Sequence, residues 1–133
     1  GDDTNAGIEA AMRRICAGMA ATHGVDISVS YDTVFPTLRN DHEAVGAAVG
    51  AAISVAGADR VNPACDPKLF SEDFAHMARA VPGCFMLIGN GTEAASARPL
   101  HASDYDFNDA ILGPGAAYIA TLAEQVLDRS VTG

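Results

Sequence analysis

The chain has 133 residues, 49% of them hydrophobic, which is enough for about one domain with its own core. Its formal net charge is -9, because 17 acidic residues outnumber eight Lys and Arg residues. With basic side chains so few and spread singly, except for Arg13 and Arg14, the chain is not expected to bind nucleic acid or an anionic membrane surface.

The cysteines and the apolar runs indicate the compartment. Cys16, Cys65 and Cys84 are three in number and lack C-x-x-C spacing, so they predict neither a disulfide framework nor a thiolate zinc site. The longest uncharged run, residues 44–58, is shorter than the about 20 residues that span a bilayer, and no basic-then-apolar leader opens the chain. We therefore expect a soluble protein in a reducing, cytoplasmic setting.

The first part of the chain predicts a helix followed by a strand. Apolar residues recur at helical spacing over residues 8–19, and His23-Gly24 supplies a C-terminal stop. The next segment, "VDISVSY" at 25–31, alternates apolar and polar residues, as in an antiparallel strand with one wet face. Pro36 then breaks the pattern, which predicts one domain over residues 1–35 and another over 36–133. The apolar positions of the helix are Ile8, Met12, Ile15, Cys16 and Met19.

Two helices are predicted behind this boundary. Asp41 is a suitable N-cap for a helix of small residues, in which Gly46 and Gly50 share one face and would let another backbone approach closely. Ser71 is the expected N-cap of the second helix, with two carboxylates in its first turn. Pro82-Gly83 is expected to end that second helix.

A buried strand and a last helix follow. "CFMLI" at 84–88 is wholly apolar and is ended by a Gly-Asn-Gly turn, as in a parallel or mixed sheet covered on both sides. Pro114 stands near the start of the last helix. Its apolar stripe consists of Ile119, Leu122, Ala123, Val126 and Leu127.

The predicted strands do not make a complete sheet. One has a wet face and the other has none, so the two are not expected to be neighbours, yet a central strand needs partners on both edges. The sequence therefore predicts an α/β protein of which this chain is a fragment, with the tail of one domain in front and an incomplete α/β domain behind.

The segment "PLHASDYDFND" at 99–109 carries most of the candidate chemistry. Asp104, Asp106 and Asn108 match the opening of a calcium-binding EF-hand loop, but Asp109 and Gly115 stand where that loop requires Gly and Glu. The alternative from the residues alone is that the polar side chains stop one segment and cap the next, while the two aromatic residues pack inward.

Two longer stretches make the chain resemble a known family. "SEDFAHMARAVPGCFMLIGNG" at 71–91 and "LHASDYDFNDAILGPGAAYIATLAEQVL" at 100–127 resemble the C-terminal part of the hippurate hydrolases and related N-acyl-amino-acid amidohydrolases. The resemblance implies the C-terminal part of a phosphorylase/hydrolase-like zinc-peptidase α/β catalytic domain. Residues 1–35 would be the last helix and strand of the inserted lid and dimerisation domain, and a homo-oligomer is implied.

The resemblance also implies a site and a reaction. In this family a two-metal centre, with Zn, Mn, Ni or Co, activates a water that attacks the amide of an N-acyl amino acid. His101 aligns with a metal ligand. Asn40 aligns with an asparagine at the lid hinge, where either a contact with substrate or the role of an ordinary turn residue is expected. Glu72 and Asp73 lie in a segment that borders the site. The alternative is a structural role, in which the two carboxylates stabilise the positive end of the helix dipole.

The family's other site motifs are not in this sequence. The C-G-H-D-x-H segment, the Glu-Glu pair with the general base and a further histidine ligand are all missing. Because one imidazole cannot hold a metal that needs about three protein ligands, the chain alone is expected to bind no metal and to be inactive, with no catalytic residue of its own. Two hypotheses remain: a C-terminal fragment of a metal-dependent amidohydrolase, or a non-catalytic dimerisation or interaction module that retains the fold.

Overall fold

A computed structural model describes residues 1–92 and 97–131, except for the side chains of residues 129–131. The chain divides into two compact units. The first unit comprises Gly1–Arg39 and Phe70–Ala80, and the second comprises Asn40–Leu69 and Val81–Gly133. The domain boundary that the sequence predicts at residue 36 stays a prediction.

The first unit contains the helices α1 (Asp2–His23) and α3 (Phe74–Ala80). The predicted stop of α1 is confirmed, because Gly24 has the left-handed φ of 62° and donates its N–H to the Ala20 carbonyl. Ala75 of α3 is the buried residue of this unit, at 1% exposure. The predicted apolar stripe of α1 is largely open to solvent, with Ile15 61% exposed.

The second unit is built on α2 (His42–Ala56) and α4 (Leu112–Val131), which pack against each other. Asp41 caps α2 as predicted, since its Oδ1 accepts from the Ala44 N–H at 2.9 Å. Small side chains let the two helices approach, and Tyr118 of α4 is the one large side chain in their buried cluster, at 7% exposure. The cluster consists of Ala51, Ala52 and Tyr118, with Val61, Met86 and Leu122 packed around it.

Two expectations about the helices are corrected. Gly46 has nothing within 4 Å of where a Cβ would be, and Gly50 meets only the Gln125 side chain at 3.8 Å, so the alanine face of α2 makes the close contact instead. Ser71 is not an N-cap, because α3 begins only at Phe74, after both carboxylates. The expected position of Pro114 near the start of α4 is confirmed.

The two predicted strands are not formed in the part of the chain that is described. The backbone of a strand forms hydrogen bonds with a neighbouring strand, whereas here side chains form hydrogen bonds with some of those backbone groups. Arg13 donates to the Val29 carbonyl at 3.0 Å, and the Asn40 carboxamide pairs with both backbone groups of Phe85. The α/β architecture is therefore not present in these residues, which are helical with extended connections.

The predicted burial of segment 84–88 is also corrected. Cys84, Phe85 and Met86 are half-buried, whereas Leu87 and Ile88 are 50% and 49% exposed. Without sheet neighbours, the outer part of this apolar run has nothing in the described residues that covers both its faces.

The helical segment Asp109–Asp128 is long and apolar enough to cross a membrane by length and composition. Core helices of soluble proteins meet the same criterion, so one such segment is weak evidence for a membrane span. Tyr118, inside this segment, instead packs in the cluster with α2.

Candidate functional site

His101 lies in a tight turn whose backbone geometry is uncommon. The Ala102 N–H donates to the Pro99 carbonyl at 3.0 Å, so His101 is the third residue of a four-residue turn. Its φ is 75°, the value that a type II turn requires at this place and that glycine normally supplies. A left-handed backbone costs a residue with a Cβ about 1–2 kcal/mol. Histidine is among the few residues with a side chain that adopt a positive φ more often than others do, but glycine remains the residue that this position favours.

The His101 ring is exposed and makes no hydrogen bond or ion pair with any described residue. Around it, Ala102 accepts from the Tyr105 N–H at 3.0 Å, and Arg98 pairs with Asp104 at 3.0 Å. The imidazole is thus presented outward from two consecutive turns, with both ring nitrogens open to another group.

Of the two aromatic residues that the capping interpretation predicts to pack inward, Tyr105 is half-buried and Phe107 is not buried. Tyr105 and Phe107 meet edge to face, with ring centroids 4.9 Å apart, and Phe107 is 73% exposed. The cap is supplied instead by Asn108, whose Oδ1 accepts from the Ala110 N–H at 3.0 Å at the start of a short 3-10 turn, Asp109–Ile111. Asp104 and Asp106 are not part of that cap.

Asn40 engages the backbone of the apolar segment. Its Nδ2 donates to the Phe85 carbonyl at 3.1 Å, and its Oδ1 accepts from the Phe85 N–H at 2.9 Å. The Asp41 N–H donates to the Gly83 carbonyl at 2.9 Å beside this pair. The carboxamide of Asn40 therefore acts as a strand neighbour would, and a contact with substrate stays a prediction that must use its second amide hydrogen or a second lone pair.

Glu72 and Asp73 precede α3 in the first unit. Their carbonyls accept from the N–H groups of Ala75 and His76 at 3.3 and 3.0 Å, and the Glu72 Oε1 accepts from the Phe74 N–H at 3.4 Å. These contacts belong to the start of the helix. A role of either carboxylate at the border of a site stays a prediction.

The first unit has an open cleft of about 370 Å³, with several charged and polar residues in its lining, that sequence reasoning missed. His76 contributes its ring, with Nε2 3.2 Å from the Val34 carbonyl, and Arg79 pairs with Asp2. The hydrogen bonds from Thr37, and then the nearby Arg79 charge, hold the pKa of Asp2 below its ordinary value. The lining residues are Asp2, Asn5, Ala6, Glu9, Thr33, Pro36, His76 and Arg79.

Sequence reasoning also missed the roles of Asn90 and Asn108. Both are half-buried, and the side chain of each forms a hydrogen bond with the backbone of the other. The sequence signal was the Gly-Asn-Gly turn, which indicates only the end of a segment. The partner of a side-chain amide 18 residues away cannot be deduced from such a turn.

The described residues do not complete a metal centre. No group of three or more His, Cys, Asp or Glu side chains in this part of the chain is arranged to hold an ion. The EF-hand alternative likewise lacks a ligand cluster there. His101 supplies one donor of the type that divalent transition metals accept, so the donors among the described residues do not by themselves fit a two-metal centre.

The surroundings of the half-buried Cys84 thiol make it unreactive. Burial raises the pKa of Cys84, and burial together with the nearby Cys84 raises the pKa of Tyr118. A thiol that stays protonated is a poor nucleophile and a poor metal ligand. All three cysteines are free thiols.

Comparisons with known proteins identify the family of the chain. The model of peptidase family M20/M25/M40 matches residues 4–125, and the chain belongs to this family. It is 30% identical to the hippurate hydrolase of Campylobacter jejuni over 114 residues, covering 86% of this chain and 29% of the relative. No solved structure gives a significant match.

Two further relatives are also hydrolytic enzymes by name. The chain is 31% identical to the N-acetylcysteine deacetylase of Bacillus subtilis over 118 residues, covering 88% of this chain and 29% of the relative. It is 38% identical to the IAA-amino acid hydrolase ILR1-like 2 of Arabidopsis thaliana over 66 residues, 50% of this chain and 15% of that protein. The chain thus spans less than a third of the length of these relatives.

Proposed function

We propose that this chain supplies the C-terminal part of a metal-dependent amidohydrolase acting on N-acyl amino acids, with His101 as one of its metal donors. The observation that carries the proposal is the histidine in the left-handed position of an exposed turn. Strained residues of this kind cluster at functional sites, where the side chain and not the backbone decides the residue type.

The substrate class follows from the names of the relatives. The similarity to a hippurate hydrolase and to an N-acetylcysteine deacetylase supports an amide between an acyl group and the nitrogen of an amino acid. The free thiols are consistent with the cytoplasmic setting that we propose for it.

In this proposal the chain is inactive by itself. An imidazole donor on a turn can complete a metal centre whose other donors lie elsewhere, but it cannot hold the ion alone. In this proposal the general base also lies elsewhere, since the sequence has no Glu-Glu pair.

A non-catalytic interaction module is the second candidate. It is favoured by the large apolar side chains left open on α1 and α4, including Ile15 and Ile119 at 61% and 62% exposure. Such a module would use these faces to contact another protein chain and would not need His101 at all.

The two candidates are separated by a chimeric enzyme. This chain replaces the segment that it matches in the Campylobacter jejuni hippurate hydrolase, and hydrolysis of hippurate and of N-acetylcysteine is measured. We expect the chimera to hydrolyse at least one substrate, His101→Ala to abolish turnover, and the control Asn62→Ala, which removes only an exposed contact to the Ala64 N–H, to leave it unchanged. A folded chimera with equal turnover in the His101→Ala variant would contradict the proposal.

A further inference from the structure

Asn90 and Asn108 form a reciprocal clamp through their side-chain amides. The Asn108 N–H donates to the Asn90 Oδ1 at 2.8 Å, and the Asn108 Nδ2 donates to the Asn90 carbonyl at 3.0 Å. The Asn90 Nδ2 donates to the Asp106 carbonyl at 2.7 Å. The clamp therefore ties the residues just after the apolar segment 84–88 to the residues just before α4.

The clamp brackets the part of the chain that carries His101. Between Asn90 and Asn108, the Arg98–Asp104 ion pair forms a second and narrower bracket around the same turn. That pair is more than half exposed on both sides, and exposed ion pairs contribute little. The half-buried amide contacts are hence the stronger of the two restraints.

A left-handed residue with a side chain persists only where the surrounding structure fixes it. At His101 the local restraints are the hydrogen bonds of two consecutive turns, accepted by the Pro99 and Ala102 carbonyls, and the ring adds no hydrogen bond or ion pair with the described residues. The amide clamp adds a restraint from outside these turns, because it joins residues on both sides of them through half-buried contacts.

We propose that Asn90 and Asn108 are positioning residues for His101: their clamp holds the chain so that the left-handed turn at His101 presents the imidazole outward. The consequence for metal binding rests on the function proposed above. The geometric claim, that the clamp maintains the backbone at His101, does not depend on any metal.

Asn108 also has a plain structural role that the test must separate from this one. Its Oδ1 caps the 3-10 turn before α4 by accepting from the Ala110 N–H. Asn108→Asp keeps an acceptor for that N–H and removes the donor to the Asn90 carbonyl, whereas Asn108→Ala removes both. The control Asn62→Ala deletes an exposed, local amide contact that lies outside the segment from Asn90 to Asn108.

The first readout is the backbone conformation of His101 in the 133-residue chain, followed by NMR through its Cα and Cβ chemical shifts and its HN–Hα coupling. We expect Asn108→Asp and Asn108→Ala to move these values away from the left-handed state, and Asn62→Ala to leave them in place. The Tyr118 signals report whether the packing of α2 and α4 is intact in each variant.

The second readout is the dissociation constant of Co²⁺ in the chimeric enzyme. Loss of a group that orients a metal ligand weakens metal binding by about 10–100-fold, and we expect Asn108→Asp to fall in this range. If His101→Ala leaves Co²⁺ binding unchanged, the proposed function fails, while the NMR result still decides the clamp.

Three outcomes would contradict the clamp. In the first, the NMR values of His101 stay left-handed in both Asn108 variants. In the second, they change only in Asn108→Ala, which assigns the effect to the cap, and in the third, they change equally in Asn62→Ala. Movement in both Asn108 variants, with the Tyr118 signals and the control unchanged, supports it.

Discussion

His101 is the residue whose backbone conformation is least suited to a residue with a side chain. The third position of its turn favours glycine, and the residue present has a Cβ and an exposed ring. The sequence predicted the identity of the candidate ligand through its L-H motif. It could not predict the left-handed backbone, because Pro99-Leu100-His101-Ala102 has no glycine or asparagine to indicate such a turn.

Replacing His101 separates the cost of the turn from the use of the ring. We expect His101→Gly to raise the free energy of unfolding by about 1 kcal/mol, because glycine adopts a positive φ without strain. His101→Ala, the control, keeps the strain and should be near neutral. Urea titrations of the second unit measure both, and a destabilising His101→Gly would show that the ring is a packing element.

The cysteines provide a test of local burial. We expect iodoacetamide to alkylate Cys84 severalfold more slowly than the exposed Cys65 near neutral pH, because the raised pKa of Cys84 keeps its thiol protonated. Peptide mass spectrometry at timed intervals distinguishes the two sites. The difference should vanish in denaturant, and equal rates in the folded chain would contradict the burial of the segment after Gly83.

The same raised pKa fixes the sign of a pH effect on stability. Folding favours the neutral Cys84 thiol, so its contribution is present below the ordinary thiol pKa and is lost as pH rises through the raised value. The lowered pKa of Asp2 acts in the opposite direction. Its contribution is present above the ordinary carboxyl pKa and is lost as pH falls through the lowered pKa.

At the scale of elements, helices could be predicted and strands could not. The end of α1 at Gly24 and the cap of α2 at Asp41 depend on neighbours in sequence, so local patterns are sufficient for them. The strands at 25–31 and 84–88 depend on pairing partners, and in the described residues Arg13 and Asn40 take up backbone groups that a sheet would use. Helix existence is local, whereas a sheet is not.

The α2–α4 contact allows a matched pair of substitutions on one helix. Ala51 is fully buried against the Tyr118 cluster, so we expect Ala51→Leu to lower the free energy of unfolding by about 1–3 kcal/mol through overpacking. Gly46 has open space around it, so Gly46→Ala should stabilise by about 0.5–1 kcal/mol through helix propensity. Thermal unfolding followed by circular dichroism measures both changes. A neutral Ala51→Leu would mean that the helices are not in close contact.

At the scale of the whole molecule, the apolar surface exceeds the core. The buried hydrophobic residues that are described are Ala48, Ala51, Ala52, Ala75 and Tyr118, all but one of them alanines. At about 25 cal/mol per Å², several hundred Å² of uncovered apolar surface corresponds to roughly 10 kcal/mol, comparable with the stability of a domain. The stripes of α1 and α4 therefore require cover that the described residues do not supply.

We expect the isolated chain to self-associate at micromolar concentration through these stripes. Sedimentation velocity measures the association, and Ile119→Lys, which places a charge on the exposed face of α4, should shift it towards monomer. Ala120→Lys, at a small exposed residue of the same helix, adds the same single charge and is the control. A monomer that melts sharply would show that the small core suffices and would contradict the expectation.

The metal content of the chimeric enzyme tests the central claim most directly. Elemental analysis is made of the chimera, of its His101→Ala variant and of the 133-residue chain alone, each purified with the same divalent metal supplied. We expect no stoichiometric metal in the chain alone, the two ions implied by the family in the chimera, and the loss of one of them in His101→Ala. Both ions retained without His101, or a stoichiometric ion in the chain alone, would contradict the assignment of His101 as a donor to a shared centre.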